Sequence, residues 1–301
     1  MTDPRPAWVI TGPTSGIGYR TALELATYGI VVLVGRNAAK LADVQRDIET
    51  TGGSADVVTA DFADVLSARQ AAADIAALGL PIRGVLNNAG IMLTKPAESL
   101  QGWELAFATN HLGPLAFTDA LVPALADGTN VVFVASAVED PERKLAVRAG
   151  FRGSRYLSAE AAARGEYRPG GSTRPGMDAY ATSKQGNLAS VFSLAVEHPR
   201  LRFRAIEPGV NPASNLGSDV PPAVHVVARV LSPALSLLPH FSTPKRAARV
   251  IARIVTDPSD ATGIYYDENG RPMPGSTEVR DPAYTDRYIA ESRALLASIS
   301  A

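Results

Sequence analysis

The sequence predicts a doubly wound α/β fold, a parallel sheet of about seven strands with helices on both faces. Short β-branched and apolar runs alternate with longer segments of helical period. The strand candidates are continuously apolar, as is typical of parallel strands buried on both faces. These candidates are residues 8–11, 30–34, 55–60, 84–87, 130–135, 201–206 and 263–266. The clearest helix candidates are residues 18–28, 38–50, 66–77, 100–125 and 179–197.

The composition is that of a soluble globular protein. Of the 301 residues, 46% are hydrophobic and 20% are charged, so the chain can bury a core without cross-links. The net charge of −1 excludes a broad electrostatic attraction to nucleic acid or anionic membrane. With no cysteine in the chain, disulfides, thiolate metal sites and cysteine nucleophiles are excluded, and no metal site is predicted.

The chain is predicted to be one domain over residues 1–301 that carries two insertions. Residues 137–177 are rich in arginine and end in the segment RPGGSTRPG. Residues 209–242 are rich in proline and apolar residues, and they predict either a mobile lid over an apolar pocket or a segment packed on the domain or on another subunit. The first apolar run is too short for a signal peptide, and prolines interrupt residues 220–241, so no membrane span and a cytoplasmic location are predicted.

The first strand runs directly into the glycine-rich segment TGPTSGIGYRTALELA. Glycines at positions 12, 16 and 18 let the backbone turn sharply and let a phosphate approach without a Cβ in the way. The helix that follows presents free N–H groups and its positive dipole end to a pyrophosphate. The alternative is a turn with packing value only, but the position between first strand and first helix favours a Rossmann-type dinucleotide site.

The second strand ends in VVLVGRN, which bears on the choice of cofactor. Gly35 stands where folds that prefer NAD usually carry an acidic residue for the ribose 2′-hydroxyl, and Arg36 follows it. This pattern favours NADP(H), although Arg36 as a solvated surface cation is the alternative. At the end of the third strand, Asp61 is placed either to bond the adenine amino group or to cap the next helix.

The segment DAYATSKQGN places Tyr180 and Lys184 one helical turn apart, on the same face of a helix. A phenol has an ordinary pKa near 10, and a nearby ammonium is expected to lower that pKa. A phenol tuned in this way is a general acid/base suited to carbonyl reduction or alcohol oxidation. Alone, the spacing is a weak signal, since a packing tyrosine and a surface lysine would produce it too.

The ordered set of motifs resembles the short-chain dehydrogenase/reductase family over about residues 7–264. The segment Thr-Gly-x-x-x-Gly-Ile-Gly is similar to that of the dehydrogenase/reductase branch. The tail beginning TGIYYDENG is similar to those of retinol-dehydrogenase-like and protochlorophyllide-reductase-like members. Besides the glycine loop, the residues that carry the resemblance are Asn87-Asn88-Ala89-Gly90 after the fourth strand, Asn110 in a long helix, Ser136 after the fifth strand, and Tyr180 with Lys184.

With Arg36 and the apolar insertion, the resemblance implies an NADP(H)-dependent oxidoreductase that reduces a carbonyl, or oxidises the matching secondary alcohol, of a largely apolar small molecule by hydride transfer. It implies that Tyr180 is the acid/base and that Lys184 tunes the phenol and binds the nicotinamide ribose. Ser136 would orient the substrate oxygen, and Asn110 would hold a water that links the lysine to solvent. The implied cofactor-binding residues are Thr11, Gly12, Thr14, Ser15, Gly16, Ile17, Gly18, Arg36, Asp61, Phe62, Asn87, Ala89, Gly90, Tyr180, Lys184, Pro208 and Gly209.

The chain departs from the family pattern in three places. One is the glycine loop, which holds no lysine or arginine where many NADP-preferring members keep one. After Pro208-Gly209, family members commonly carry a threonine that contacts the nicotinamide carboxamide, but Ala213 stands there, with Ser214 and Asn211 as candidate replacements. The 44 positions between Ser136 and Tyr180 exceed those of most members. The extra residues are predicted to cover a helix face that many relatives use to form dimers, so monomer and homo-oligomer stay open.

Two other functions stay open at this point. One is a catalytically silent NADP-sensing binding protein, and the other is a ring or double-bond reductase of the protochlorophyllide-reductase type. The four catalytic candidates together argue against a pure sensor. His111, beside Asn110, is interpreted as structural.

Overall fold

The computed structural model describes residues 4–210 and 240–299, and seven parallel strands in this part form one sheet. The strand order is β3-β2-β1-β4-β5-β6-β7, so the chain order reverses between β1 and β4. This parallel sheet confirms the predicted doubly wound fold. In such a fold, a ligand crevice is expected where the strand order reverses, at the carboxyl ends of the strands. The strands are β1 (Ala7–Thr11), β2 (Ile30–Gly35), β3 (Ser54–Thr59), β4 (Ile82–Asn87), β5 (Asn130–Val134), β6 (Arg202–Ile206) and β7 (Ile264–Tyr266).

Helices cover both faces of the sheet, and apolar side chains alternate between the two layers. Along β1, Val9 packs in one layer, whereas Trp8 and Ile10 pack in the other. The α-helices of the described part are α1 (Gly16–Leu25), α2 (Ala38–Thr50), α3 (Val65–Ala77), α4 (Leu105–Phe107), α5 (Gly113–Leu121), α6 (Lys144–Arg148), α7 (Ala159–Ala163), α8 (Pro175–Glu197), α9 (Pro244–Val255) and α10 (Pro282–Ala297).

The helix predicted over residues 100–125 is interrupted. It begins at Leu105, widens into a π-helical turn over Ala108–Leu112, and resumes as α5, which ends at Leu121. Pro114 supplies the reason, because it has no N–H to donate to the carbonyl of Asn110, its usual partner four residues earlier. A π-turn inside a helix is often found at a functional site.

The C-terminal helix α10 packs on α8 and is joined to α5 by an ion pair. Arg293 bonds both Asp119 oxygens at 2.8 and 2.9 Å, and it bonds Glu197 of α8 at 2.8 Å. Tyr156 of the 137–177 insertion stacks on Tyr288 of α10, with ring centroids 3.7 Å apart. The insertion and the C-terminal helix therefore form one layer over α8.

Of the predicted lid at 209–242, residues 211–239 lie outside the described residues, and with them Asn211, Ala213 and Ser214. The two described ends of the segment meet. Val210 N donates to the His240 carbonyl at 2.8 Å, and Ser242 N donates to the Val210 carbonyl at 3.0 Å. Among residues 4–210 and 240–299, no helix combines the length and the apolar character needed to cross a membrane.

Candidate active site

The glycine loop between β1 and α1 has the shape of a phosphate cradle. Gly12 and Gly16 adopt φ values of 67° and 58°, the left-handed region that favours glycine, and a Cβ on Gly16 would meet no atom within 4 Å. A Cβ on Gly18 would overlap the Gly12 carbonyl oxygen, so only glycine lets α1 begin this close to the loop. Ser15 precedes α1 without capping it, so its hydroxyl and the first helical N–H groups are open to an anion.

Asn88, which is absent from the predicted binding residues, ties β4 to this loop. Its side-chain amide donates to the carbonyls of Thr11 at 2.8 Å and Gly12 at 3.2 Å. In return, the Thr11 hydroxyl accepts from the backbone N–H groups of Asn88 and Ala89, both at 2.9 Å. The signal for Asn88 was the Asn-Asn-Ala-Gly motif, but its bonding partners lie more than 70 positions away.

The remaining residues predicted to bind the nucleotide are either exposed to solvent or buried. Thr14 and Ile17, on the loop, are partly exposed. Arg36 is exposed at the end of β2 and has no hydrogen bond or ion pair to any residue that the structure describes. Asn87 is buried, donates to the Thr118 hydroxyl at 3.0 Å, and leaves its Oδ1 without a partner. An orphaned buried amide oxygen is a polar atom that a bound ligand can satisfy.

Of the two roles predicted for Asp61 at the end of β3, the helix cap is wrong. Asp61 does not cap α3, because Asp64 does so by accepting from Leu66 N at 3.0 Å; Asp61 instead accepts from Ala63 N at 2.9 Å. The side chain of Phe62 packs in the core against Phe117, with centroids 5.5 Å apart. Only the backbone of Phe62 is therefore left to contact a cofactor.

Together these features fit a nicotinamide dinucleotide. The left-handed glycines leave room for the pyrophosphate, α1 offers its uncapped end, and Arg36 offers a cation at the ribose position. At the other end of the crevice, a Cβ on Gly90 would lie 3.2 Å from Asn110 Oδ1 and 3.5 Å from Lys184 Nζ. The end of β4 therefore runs directly past the predicted catalytic group.

Ser136, Tyr180 and Lys184 come together as the sequence predicts. Both α8 residues are buried, and the Tyr180 hydroxyl is hydrogen-bonded to the Ser136 side chain at the end of β5. Lys184 Nζ donates to the Val134 carbonyl at 2.7 Å and lies 5.6 Å from the centroid of the Tyr180 ring. The reactive phenol thus has a hydroxyl on one side and an ammonium below its ring.

The expected effect of Lys184 on the phenol is wrong for the protein alone. Burial raises the pKa of Tyr180, the charge of Glu207 raises it further, and the bond to Ser136 opposes both. The lysine does not offset this, because its ammonium is bonded to the Val134 carbonyl rather than to the phenol. Burial lowers the pKa of Lys184 itself to about 8, while the Glu207 charge acts in the opposite direction.

Asn110 lies in the π-turn, and its side chain is fully engaged. Oδ1 accepts from Ile91 N at 2.8 Å, and Nδ2 donates to the Ile91 carbonyl at 2.8 Å and to Ser183 Oγ at 3.0 Å. These bonds occupy both donors of the amide, and the water expected at Asn110 stays a prediction. The backbone carbonyl, which Pro114 leaves without its usual helical donor, is the remaining acceptor at this residue.

Two buried carboxylates near Ser136 were missed by the sequence analysis. Glu207, at the end of β6, accepts from Ala137 N directly after Ser136. Glu139 is fully buried and accepts from Ser276 N at 2.8 Å, and burial raises its pKa to about 7. An acidic residue directly before Pro208-Gly209 was the only signal for Glu207 in the sequence.

An apolar wall faces the catalytic tyrosine. Phe151 of the insertion lies 6.5 Å from Tyr180 between ring centroids, and Met92, Val138 and Met177 pack on the same cluster. Because methionine side chains are flexible and polarisable, such a wall adapts to apolar ligands of irregular shape.

His111 is buried beside Asn110 and supports the π-turn. Its Nε2 lies 2.8 Å from Ser292 Oγ of α10, and its ring packs edge-on against Tyr288, with centroids 5.2 Å apart. Burial lowers the pKa of His111 to about 3, so the ring is neutral at physiological pH. This arrangement agrees with the structural interpretation.

Comparison with known proteins agrees with this geometry. The family model for short chain dehydrogenases matches residues 7–148. A polyprenol dehydrogenase of Mus musculus is 39% identical over 148 residues, which are 46% of this chain and 44% of that enzyme. The chain therefore spans less than half the length of this relative.

Two crystal structures extend the similarity to nearly the whole fold. A protein from Mycobacterium paratuberculosis matches with a TM-score of 0.69 and 25% identity, over 97% of this chain and 93% of that one. A short-chain dehydrogenase from Escherichia coli CFT073, solved in complex with NADPH, matches with a TM-score of 0.61 and 26% identity, over 89% of this chain and 97% of that one. The similarity to short-chain dehydrogenases/reductases that the sequence predicts is thus confirmed, by the family model over residues 7–148 and by solved structures over nearly the whole fold.

Proposed function

We propose that this protein is an NADP(H)-dependent alcohol dehydrogenase or carbonyl reductase acting on largely apolar molecules, with Tyr180 as general acid/base. The observation that carries the proposal is the bond between Tyr180 and Ser136 beside the buried Lys184, at the end of a crevice that begins with the glycine loop. When bound, the nicotinamide supplies or accepts the hydride. The side chains bind, orient and move the proton.

In this proposal, Ser136 holds the substrate oxygen, and Tyr180 donates its phenolic proton to that oxygen during reduction or removes it during oxidation. Lys184 keeps donors free besides the one given to Val134, so it can also bind the ribose. The backbone carbonyl of Asn110, to which Pro114 cannot donate, holds the water that returns a proton from solvent. The main chain is favoured over the side chain for this role because the amide is engaged by Ile91 and Ser183.

The apolar wall beside Tyr180 supports an apolar substrate. On that side, the neighbours of the catalytic phenol are the apolar side chains of Phe151, Met92 and Met177. Burial of a substrate chain there contributes about 25 cal/mol per Å² of apolar surface removed from water. The name of the Mus musculus relative points to isoprenoid alcohols as the first class to test. A cytoplasmic location stays a prediction.

The test is nicotinamide absorbance with NADP⁺ or NADPH across prenols of increasing length and the matching aldehydes and ketones. We expect turnover that rises with chain length. Tyr180→Phe keeps the ring and removes the proton, so the rate should fall at least about 10²-fold, while cofactor affinity survives. Phe151→Leu, which keeps an apolar wall, is the matched control for packing around Tyr180.

Near-normal turnover by Tyr180→Phe would reject the acid/base assignment. Cofactor binding without turnover of any alcohol or carbonyl would instead favour the sensing protein. Reduction of a carbon–carbon double bond alone would favour the ring-reductase alternative.

A further inference from the structure

Glu207 is a buried carboxylate at the meeting point of β5, β6 and β7. It is 8% exposed, and its backbone N–H donates to the Tyr266 carbonyl at 2.9 Å. Its Oε2 accepts from Ala137 N, the first backbone donor after Ser136. The carboxylate therefore fixes the backbone that presents the Ser136 hydroxyl to Tyr180.

Lys184 lies on the other side of the same strand end. Its ammonium donates to the carbonyl of Val134, and Val134 pairs in register with Ile206, the residue before Glu207. Among residues 4–210 and 240–299, no carboxylate forms a direct ion pair with Lys184. A buried ammonium bonded only to a neutral carbonyl needs a counter-charge nearby to stay protonated.

Several neighbours act on the charge of Glu207. Burial raises the pKa of Glu207 and the Glu268 charge adds to this, whereas the Ala137 N–H, the Arg143 charge and the Gly209 N–H stabilise the carboxylate. Arg143 is turned toward His240, with 3.5 Å from Nη2 to Nδ1, and His240 lies 3.3 Å from Glu268 Oε1. Arg143 thus also contacts His240, which in turn contacts Glu268, and the charge of Glu207 acts on the side chains of Tyr180, Lys184 and Tyr265.

We propose that Glu207 is a positioning residue of the active site, which holds Ser136 through the Ala137 N–H and supplies the buried negative charge that balances the Lys184 ammonium. The inference rests on the proposed function of Ser136, Tyr180 and Lys184. It extends the catalytic group to the strand end directly before Pro208-Gly209.

The two roles belong to one side chain and can be separated. Glu207→Gln keeps an acceptor of the same length for Ala137 N and removes the charge. Glu207→Asp keeps the charge and withdraws the oxygen by one methylene. Removal of the negative charge destabilises both the protonated lysine and the neutral phenol relative to their deprotonated forms, so Lys184 and Tyr180 should then lose their protons at lower pH.

The charge is tested on Lys184 directly. The chain has five lysines, at positions 40, 95, 144, 184 and 245, so NMR of protein labelled with ε-¹³C lysine gives few signals, and Lys184→Met identifies the one of interest. In Glu207→Gln we expect the Lys184 midpoint to fall by at least about half a pH unit. Glu207→Asp should stay near wild type. Glu139→Gln, a second buried carboxyl near Ser136 that does not act on Lys184, is the matched control.

The hydrogen bond is tested by kinetics on the folded variants. Glu207→Asp should lower kcat about tenfold, a loss of about 1.4 kcal/mol, with little change in KM, because Ser136 acts on the reacting oxygen. Glu207→Gln should keep more of kcat and move the pH profile of alcohol oxidation to lower pH.

An unchanged Lys184 midpoint in Glu207→Gln, or a wild-type kcat in Glu207→Asp, would overturn the corresponding role. Failure of the proposed function looks different. If Tyr180→Phe stays active, the catalytic assignment fails while the Lys184 titration still reports on Glu207. If Tyr180→Phe is inactive and the lysine ignores Glu207→Gln, only this inference fails.

Discussion

Arg36, exposed at the end of β2 and free of partners in the described part of the chain, is the residue on which cofactor choice depends. A bond between arginine and phosphate is charge-assisted and often bidentate. We expect wild type to bind NADPH more tightly than NADH. Arg36→Ala should lose about 1.5–3 kcal/mol of NADPH binding, about tenfold to a hundredfold in affinity, with NADH little changed. Lys40→Ala, an exposed cation one turn into α2, is the matched control.

The neighbouring glycine gives the converse experiment. A Cβ on Gly35 would make only ordinary contact with Leu41, at 3.5 Å, so Gly35→Asp should be tolerated. Its carboxylate would repel the 2′-phosphate and accept from a ribose hydroxyl, which shifts preference toward NADH. Titration of both cofactors by protein fluorescence measures the shift. Equal wild-type affinities for NADH and NADPH would contradict the assignment of Arg36.

At the residue scale, the sequence could predict relations that are local in the chain. Tyr180 and Lys184 share a helix face because they are four positions apart, and the glycine loop is one continuous segment. The structural roles of Asn88 and Glu207 could not be recognised, because their side chains bond to backbone groups that lie 77 and 70 positions away in the sequence. The raised pKa of the phenol was missed for a related reason, since burial is a property of the packed site.

Among the elements, the short 3₁₀ turn after β5 carries a pH-sensitive group. Glu139 in this turn has a pKa raised from 4.5 to about 7 by burial, although Ser276 and Gln185 donate to it. The folded state therefore binds this proton more tightly than the unfolded chain. The protonated Glu139 carboxyl therefore contributes to the free energy of unfolding in full below about pH 4.5, and this contribution is lost as the pH rises through about 7.

We expect the difference in unfolding free energy between wild type and Glu139→Gln to fall by about 3 kcal/mol from pH 4.5 to pH 8. Glutamine cannot titrate, and groups common to both proteins cancel in the difference. Urea unfolding at a series of pH values measures it. A difference that does not vary with pH would show that Glu139 keeps an ordinary pKa.

The bounds of strands with a continuous apolar pattern could be predicted from the sequence, whereas short elements that depend on packing could not. Each strand began and ended within two residues of its predicted bounds. The helices α6 and α7 of the insertion have five residues each, too short to show a period or to be stable alone. An interruption of the predicted helix could have been inferred from Pro114, which stands inside it. The residues around Pro114 are apolar throughout, however, so the hydrophobic pattern gives no sign of the π-turn.

At the scale of the whole molecule, α10 and the insertion lie over α8 and cover a helix face through which a second subunit could pack. We expect the protein to run as a monomer of about 31.6 kDa in light scattering at micromolar concentration. Arg293→Glu places a carboxylate opposite Asp119 and Glu197, so it should detach α10, lower the melting temperature and promote association. Arg287→Glu, on the same helix but away from Asp119 and Glu197, is the control for charge reversal; Arg287 pairs with Glu291 and lies over the rings of Tyr156 and Tyr284.

A wild-type dimer at those concentrations would reject the monomer, and it would leave α10 itself as the contact surface. The prediction of one domain over residues 1–301 stays a prediction.

What the sequence could not reveal at this scale is the layer over α8. That layer joins the insertion to the C-terminal helix through contacts such as Tyr156 on Tyr288.

The layer over α8 also bears on the order in which the protein folds during synthesis. The last turn of α10 is held by Arg69 of α3, which donates to the carbonyls of Ile299 at 2.8 Å and Leu296 at 2.9 Å, over more than 220 positions of sequence. His111 in the π-turn bonds Ser292 across 181 positions. The residues of the nucleotide cradle leave the ribosome well before the residues of α10, which support Asn110 and Tyr180 from behind. Contacts of such long range slow folding, so the nascent chain can form its cofactor crevice well before its catalytic centre is braced.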